Sequence, residues 1–185
     1  MDKSEFSEFY DKNIDKVFRF IYLRVDSTET AQDLTSSAFL KFWQRQMPVI
    51  AIPTYREKQS PAISNPTAFL YRIARNQIID FYRQRSKKPV SLDKLGEIAD
   101  FQVAQPTFSQ KIELTLEMER IKKILHTIKP IYADVIIWHY VDDLPIKEIA
   151  GILERKEGAV RVLLHRALKA LKAQINTDNN TDKHR

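Results

Sequence analysis

Cysteine is absent from the 185-residue chain, and glycine occurs only three times. Without cysteine there is no disulfide, no thiolate metal ligand and no cysteine nucleophile. Sheets with many tight hairpins and loops that cradle phosphates both need more glycine than this. The composition therefore favours helices joined by proline-marked breaks, and we expect an all-α fold.

Long apolar runs are also missing. The longest apolar stretches, such as Val135 to Trp138, are far too short to span a bilayer, and the polar segment Met1 to Glu8 is unlike a signal peptide. We expect a cytoplasmic protein. The chain has four histidines, none spaced with acids as metal ligands are, and no nucleophile motif. We therefore expect no enzyme, metal, cofactor or small-molecule substrate.

Positive charge dominates, with a net charge of +6, and it is unevenly distributed. Residues 71–88 hold six bases against one acid, and residues 154–172 hold six bases against two acids. A basic balance of this kind favours a polyanionic partner. The two cationic clusters are far apart in the sequence, so we expect two surfaces held apart by a connector.

Apolar residues recur at helical spacing in the first half of the chain. We expect a helix from Ser4 to Arg24, a second opened by a capping box at Asp26 and Glu29, and a third capped by Asn65. The third runs to about Arg85. Residues 47–65 carry three prolines and little periodicity, which predicts a loop.

The second half shows four further helical segments. They are predicted at residues 112–127, 130–140, 145–153 and 157–175. The domains then follow as 1–88, a flexible linker at 89–111, a second small helical domain at 112–175 and a disordered tail at 176–185.

The segment LPIKEIAGILERKEGAVRVLLHRALKALK has the pattern of a helix-turn-helix. Its first helix would pack on Val160, Leu164, Ala167, Leu168 and Leu171 of the second. The opposite face of the second helix carries one row, Glu157, Arg161, His165 and Lys169. Such a helix enters the major groove, so Arg161 and His165 would face bases, with Arg155, Lys156, Arg166 and Lys169 near phosphates. The alternative is an amphipathic core helix with a solvated basic face.

The segment NPTAFLYRIARNQIIDFYRQRSKK interleaves aromatic and basic residues on one helix. Aromatic faces stack on unpaired bases while arginine and lysine hold phosphates, which favours melted DNA as a ligand. Phe69 and Phe81 are better explained as core residues. For Tyr71 and Tyr82 the choice between core packing and base stacking stays open.

These segments together resemble the extracytoplasmic-function (ECF) group of the sigma-70 family. AQDLTSSAFLKFWQ is similar to region 2.2, NPTAFLYRIARNQIIDFYRQR to regions 2.3 and 2.4, and the stretch from Ile128 to Lys172 to region 4. The resemblance implies an alternative sigma factor that binds core RNA polymerase and directs promoter-specific transcription initiation. It also implies promoter DNA and an anti-sigma factor as partners.

The resemblance assigns roles to residues. It implies contacts to the polymerase, through its β′ clamp helices and β flap, with Asp33, Ser36, Ser37 and Lys41 on the clamp-helix side. The −10 element would be bound by Tyr71, Arg72, Arg75, Asn76, Arg83, Arg85, Lys87 and Lys88. The −35 element would be bound by Arg155, Lys156, Glu157, Arg161, His165, Arg166 and Lys169.

Some positions depart from the family pattern. Ser36 and Ser37 stand where a Gln-Glu-like pair is usual, and Glu154 stands where a turn glycine is common. A stand-alone helix-turn-helix regulator is the alternative function. It would use only the second domain, and it does not require LYRIARNQIIDFYR.

Overall fold

The computed structural model describes residues 1–46, 65–87 and 116–182, and every regular element within those ranges is helical. The α-helices in these ranges are α1 (Lys3–Tyr22), α2 (Thr28–Gln46), α3 (Pro66–Lys87), α4 (Leu116–Thr127), α5 (Pro130–Ile136), α6 (Ile146–Leu153) and α7 (Glu157–Asp182). A π-helical turn at Ile137–Val141 continues α5. The expected all-α fold is confirmed. The predicted linker at 89–111 lies outside the described residues, as does nearly all of the predicted 47–65 loop.

The amino-terminal ends of the first three helices are fixed by side chains that accept hydrogen bonds from free backbone N–H groups. Asp2 and Glu5 form a reciprocal capping box on α1. Asn65 caps α3 by accepting from the backbone N–H of Ala68 at 2.9 Å, as predicted. The capping box predicted at Asp26 is wrong, because Ser27 accepts from the backbone N–H of Thr30 instead.

The carboxy-terminal helix is longer than its apolar pattern. The sequence predicts an end near Ile175 and a disordered tail at 176–185, but α7 continues to Asp182, so that prediction is wrong for 176–182. No glycine or proline follows Ile175 to break the helix. Residues 183–185 lie outside the described residues.

The first half of the chain is a three-helix unit with one apolar core. Its centre includes Val17 and Ile21 of α1, Phe42 of α2, and Leu70 of α3, all fully buried. Rings extend this core toward the start of α1, where Phe9 stacks on Phe42 with centroids 4.8 Å apart. This packing leaves the outer faces of α2 and α3 to contact other molecules or the rest of the chain.

The second half is built around α7. Val160 and Ala167 of α7 are fully buried, as is Ile149 of α6, so the helix-turn-helix packs much as predicted. Leu168 was predicted to join this contact, but it is 37% exposed.

The two halves are in contact, which corrects the expectation that their surfaces are held apart. Trp138, fully buried, has its ring centroid 5.3 Å from that of Phe20 and 6.2 Å from that of Tyr71. At the end of α6, a Cβ built on Gly151 would lie 3.4 Å from the Cβ of Ala68. Aromatic packing and close helix approach therefore join the described parts of the chain into one body.

Candidate nucleic-acid interface

The turn between α6 and α7 sets the direction of α7 and so decides which of its sides is exposed. Glu154 ends α6 in the left-handed conformation, with φ 53° and ψ 43°, which explains why glycine is common at this position. The backbone N–H of Arg155 then donates to the carbonyl of Ala150 at 3.0 Å. Because Ile149, Val160 and their neighbours face inward, the opposite side of α7 faces solvent.

All of the residues predicted to bind the −35 element are exposed around this turn and along α7. They are Arg155, Lys156, Glu157, Arg161, His165, Arg166 and Lys169. Glu157 accepts from the Arg161 guanidinium at 2.9 Å, one helical turn away. Val162, 52% exposed, lies beside this row. The structure thus brings the predicted set together on one accessible face that is cationic with an apolar edge.

The residues predicted to bind the −10 element divide into two groups on α3. Asn76, Arg83 and Arg85 are exposed, with Arg83 3.8 Å from Asp80 and Arg85 paired with Asp26. The Lys87 side chain and Lys88 lie outside the described residues. Tyr71, Arg72 and Arg75 instead face the second half of the chain.

Tyr71 is a core residue in this structure, with no exposed surface. Its hydroxyl donates to Oδ2 of Asp142 at 2.9 Å. Burial, followed by the charge of Asp142, raises the pKa of the Tyr71 phenol well above its ordinary value. Tyr82 is half-buried and donates to the backbone carbonyl of Arg24 at 2.8 Å. Because Tyr71 is fully buried, neither face of its ring is available to stack on a base in this structure.

Asp142 is buried, and three side chains from the first half of the chain donate hydrogen bonds to it: Lys16, Arg19 and Tyr71. Arg19 donates to its Oδ1 from Nε at 3.1 Å and from Nη2 at 2.8 Å, and Lys16 donates to its backbone carbonyl at 3.1 Å. Burial raises the pKa of the Asp142 carboxyl, while the Arg19 and Tyr71 hydrogen bonds oppose that rise. The carboxylate is thus both desolvated and well supplied with donors.

Asp134 forms a second buried ionic contact between the halves. Its two oxygens accept from Nε of Arg24 at 2.9 Å and from Nε of Arg75 at 3.0 Å. Burial raises the pKa of the Asp134 carboxyl, and the two guanidinium charges oppose this shift. Arg72 pairs with Glu154 nearer the surface. Arg72 and Arg75, both predicted to bind the −10 element, are therefore paired with acids from the second half of the chain.

The residues predicted to bind the polymerase lie on α2. Asp33, Ser36 and Lys41 are exposed, and Ser37 is half-buried. The sequence prediction missed Leu40, which is 56% exposed on the same helix. It borders an apolar groove of about 340 Å³ lined by Lys3, Phe6, Tyr10, Phe39, Leu40 and Trp43. Leu40 is two positions from both Ala38 and Phe42, so helical spacing puts it on the opposite side of α2 from these buried residues. This spacing was a signal in the sequence for an apolar edge.

The sequence prediction also missed the acids that contact α3. Asp134 stands alone in the apolar stretch IYADVIIW, and an ionisable residue there needs a buried partner. That pattern could have indicated an internal ion pair, although not the identity of its partners. Within the described residues, no cluster of three or more acids and histidines could hold a metal ion, and none of the helices is long and apolar enough to cross a membrane.

Two family models match the chain, in order. The model for sigma-70 region 2 matches residues 9–88, which include most of α1 and all of α2 and α3. The model for sigma-70 region 4 matches residues 118–171, which include the helix-turn-helix. Together they account for most of the chain and for both cationic helices.

Curated relatives of similar length or longer match most of this chain. It is 27% identical over 174 residues to the ECF RNA polymerase sigma factor BldN of Streptomyces coelicolor, covering 94% of this chain and 61% of BldN. It is 28% identical over 185 residues to SigW of Bacillus subtilis, also named an ECF RNA polymerase sigma factor, covering 94% of this chain and 90% of SigW.

Solved structures share the fold at low sequence identity. The sigma factor RpoE of Bartonella quintana, in complex with the anti-sigma factor NepR, matches with a TM-score of 0.64 and 18% identity, over 94% of this chain and 98% of that one. CnrH, in complex with the cytosolic domain of CnrY, matches with a TM-score of 0.60 and 17% identity, over 96% and 91%. At these identities the likeness establishes the fold.

Proposed function

The chain belongs to the sigma-70 family, and from that membership we propose that it is an alternative sigma factor of the ECF group, which directs promoter-specific transcription initiation by core RNA polymerase. The observation that carries the proposal is the match to both region 2 and region 4, in order, in one chain. A helix-turn-helix regulator needs only the second of these. The family consists of initiation factors, and we propose that this member acts in the cytoplasm without catalytic activity of its own.

The division of labour follows the two halves. Residues 1–88 would dock on the polymerase and bind the −10 element, and residues 112–175 would bind the −35 duplex. The exposed row on α7 supports the second assignment, since Arg161 and His165 lie where an inserted helix presents side chains to base edges. Asp33, exposed on α2, is the proposed principal contact with the β′ clamp helices.

An anti-sigma factor is a proposed partner. The RpoE and CnrH structures are both complexes, with the anti-sigma factor NepR and with the cytosolic domain of CnrY. The apolar groove beside Leu40 and the exposed Val162 both offer contact area in this chain. Co-purification of the tagged chain with a partner that blocks transcription would support this assignment.

Reconstitution tests the main proposal. The purified chain is mixed with core polymerase and fragmented genomic DNA from the source organism, and run-off transcripts are sequenced. We expect transcripts that begin downstream of a shared pair of promoter elements and that require the chain. If the chain fails to bind core polymerase in a pull-down and instead binds duplex DNA alone in a gel shift, the helix-turn-helix regulator becomes the better assignment.

A further inference from the structure

The centre of the exposed face of α7 is apolar over its first two turns. Val162 is two positions from both Val160 and Leu164, which are buried. Two positions on an α-helix correspond to a rotation of about 200°, so Val162 faces away from the core, and it is 52% exposed. Gly158 lies one turn earlier on the same side, and a Cβ built there would meet no other group within 4 Å. An isopropyl group and an open stretch of backbone therefore occupy the middle of the face.

Basic side chains surround this apolar centre. Arg161, Arg166 and Lys169 are all exposed on α7 near Val162. Glu157 accepts from Nη2 of Arg161 at 2.9 Å, so the Arg161 guanidinium is held beside a residue one turn back along the helix. A rim of positive charge attracts a polyanion. Duplex DNA, the ligand proposed for this face, therefore brings its own groups against Val162.

The major groove offers one apolar group to such a face. Each base pair presents hydrogen-bond donors and acceptors there, and thymine adds its 5-methyl group. A valine pressed against a donor or acceptor leaves that group without a hydrogen bond, which costs free energy. A valine against a methyl group instead removes apolar surface from water, which is favourable. Val162 therefore complements thymine and disfavours a base that presents a polar group at the same place.

We propose that Val162 is a specificity-determining residue, which contacts the 5-methyl group of a thymine in the −35 element. The proposal rests on the proposed sigma function, because it assumes that α7 enters the major groove of that element. Valine is a short side chain, so it reaches a base edge only where the helix backbone comes close. Gly158 permits that approach, because it has no Cβ and the space beside it is open.

Deoxyuridine tests the methyl contact, because it pairs as thymine does and lacks only the 5-methyl group. A promoter recovered from the genomic run-off is rebuilt as a set of templates, each with one −35 thymine of either strand replaced by deoxyuridine. Initiation is measured with core polymerase at a limiting concentration of the chain. We expect one replacement to lower initiation by the natural chain about fourfold, which is the effect of losing one buried methyl group. The other replacements should have little effect.

The variant Val162→Ser tests the protein side of the contact. Serine and valine have similar helix propensities, so this exposed substitution should leave the melting temperature unchanged. We expect the variant to initiate about fourfold less than the natural chain from the thymine template, and equally from the thymine and deoxyuridine templates. Lys169→Ala is the control, because the loss of a phosphate contact lowers initiation from both templates and leaves their ratio unchanged.

Three results would overturn the methyl contact. They are a −35 element with no thymine in either strand, a natural chain that is insensitive to every replacement, and a Val162→Ser variant that keeps the sensitivity of the natural chain. Failure of the natural chain to initiate from the unsubstituted template would overturn the proposed function, and this proposal with it. Transcription of the unsubstituted template therefore distinguishes the two failures.

Discussion

Replacement of Tyr71 by phenylalanine separates the two roles that the sequence left open for this residue. The substitution removes only the hydroxyl group and keeps the aromatic ring. A base-stacking residue would keep its function, whereas a core residue that donates to Asp142 at 2.9 Å would lose a buried hydrogen bond. The structure predicts the second result.

The expected loss follows from the environment of the acceptor. Asp142 is 0% exposed, and a hydrogen bond to a charged group contributes about 1.5–3 kcal/mol. Arg19 still donates twice to the other carboxylate oxygen, so the lower part of that range applies, about 2 kcal/mol. For a chain of this size, that loss lowers the melting temperature by roughly 4–8 °C.

The loss of stability in Tyr71→Phe should depend on pH. The hydrogen bond between Tyr71 and Asp142 determines the direction of that dependence. The Tyr71 hydroxyl stabilises the ionised Asp142 and so lowers its pKa relative to the pKa in the Tyr71→Phe variant. The hydrogen bond therefore stabilises the natural chain most at pH values where Asp142 is ionised. This advantage disappears as the pH falls through the pKa of Asp142, which burial holds above the ordinary value of 3.8.

Thermal unfolding of both proteins, followed by circular dichroism at several pH values, measures the difference. Tyr140→Phe is the matched control, because Tyr140 is 53% exposed, and it should unfold like the natural chain. The reasoning is refuted if Tyr71→Phe is as stable as the natural chain at neutral pH, or if the two differ equally at every pH.

Three further predictions concern the exposed Arg161, the exposed Asp33 and the buried Tyr22. Arg161→Ala should weaken binding to the −35 duplex by about 1–3 kcal/mol without lowering the melting temperature, as measured by footprinting of the polymerase complex. Asp33→Ala should weaken binding to core polymerase in a pull-down and leave folding unchanged, because Asp33 is exposed. Burial, together with the hydrogen bond to Glu119, raises the pKa of Tyr22 to about 12, so Tyr22 stabilises the fold below pH 10 and this contribution is lost between pH 10 and 12. In a spectrophotometric titration, the Tyr22→Phe variant should lack the tyrosine that ionises with a pKa of about 12 in the natural chain.

Each of these variants has a control in the same chain. Lys147→Ala removes an exposed base from α6 and should leave −35 binding intact, whereas equal weakening by both variants would indicate a general charge effect. Asp15→Ala removes an exposed acid from α1 and should not affect polymerase binding. If the titration curve of Tyr22→Phe is unchanged, the tyrosine that ionises at high pH is not Tyr22.

Local patterns in the sequence were sufficient for the helices and for one of the two candidate DNA surfaces. The apolar stripe on α7 determines which side is buried, so the exposed row from Glu157 to Lys169 could be predicted from spacing alone. The cap at Asn65 is likewise a local interaction. The Asp26 cap was wrong because Asp26 and Ser27 are adjacent candidates, and a distant residue, Arg85, pairs with Asp26.

The buried partners of α3 could not be predicted in the same way. Arg75 and Asp134 are 59 positions apart, and helical spacing says nothing about which residues of another unit will face a helix. The aromatic and basic pattern of α3 is compatible both with a DNA ligand and with an acidic, aromatic surface of the same chain, because both ligands offer oxygen acceptors and apolar contact. The sequence therefore indicated that α3 carries groups able to bind oxygen acceptors, but it did not indicate that Asp134, Asp142 and Glu154 are their partners in this structure.

Glu154 combines a local role, in the turn between α6 and α7, with a contact to a distant helix. Its backbone adopts φ 53°, where a residue other than glycine costs about 1 kcal/mol or more, and glycine would make the same turn without that cost. The side chain, however, pairs with Arg72 of α3, an interaction that glycine would abolish. If the turn alone mattered, a strained glutamate would be a disadvantage. Its contact with Arg72 of α3 is a physical reason for glutamate at this position.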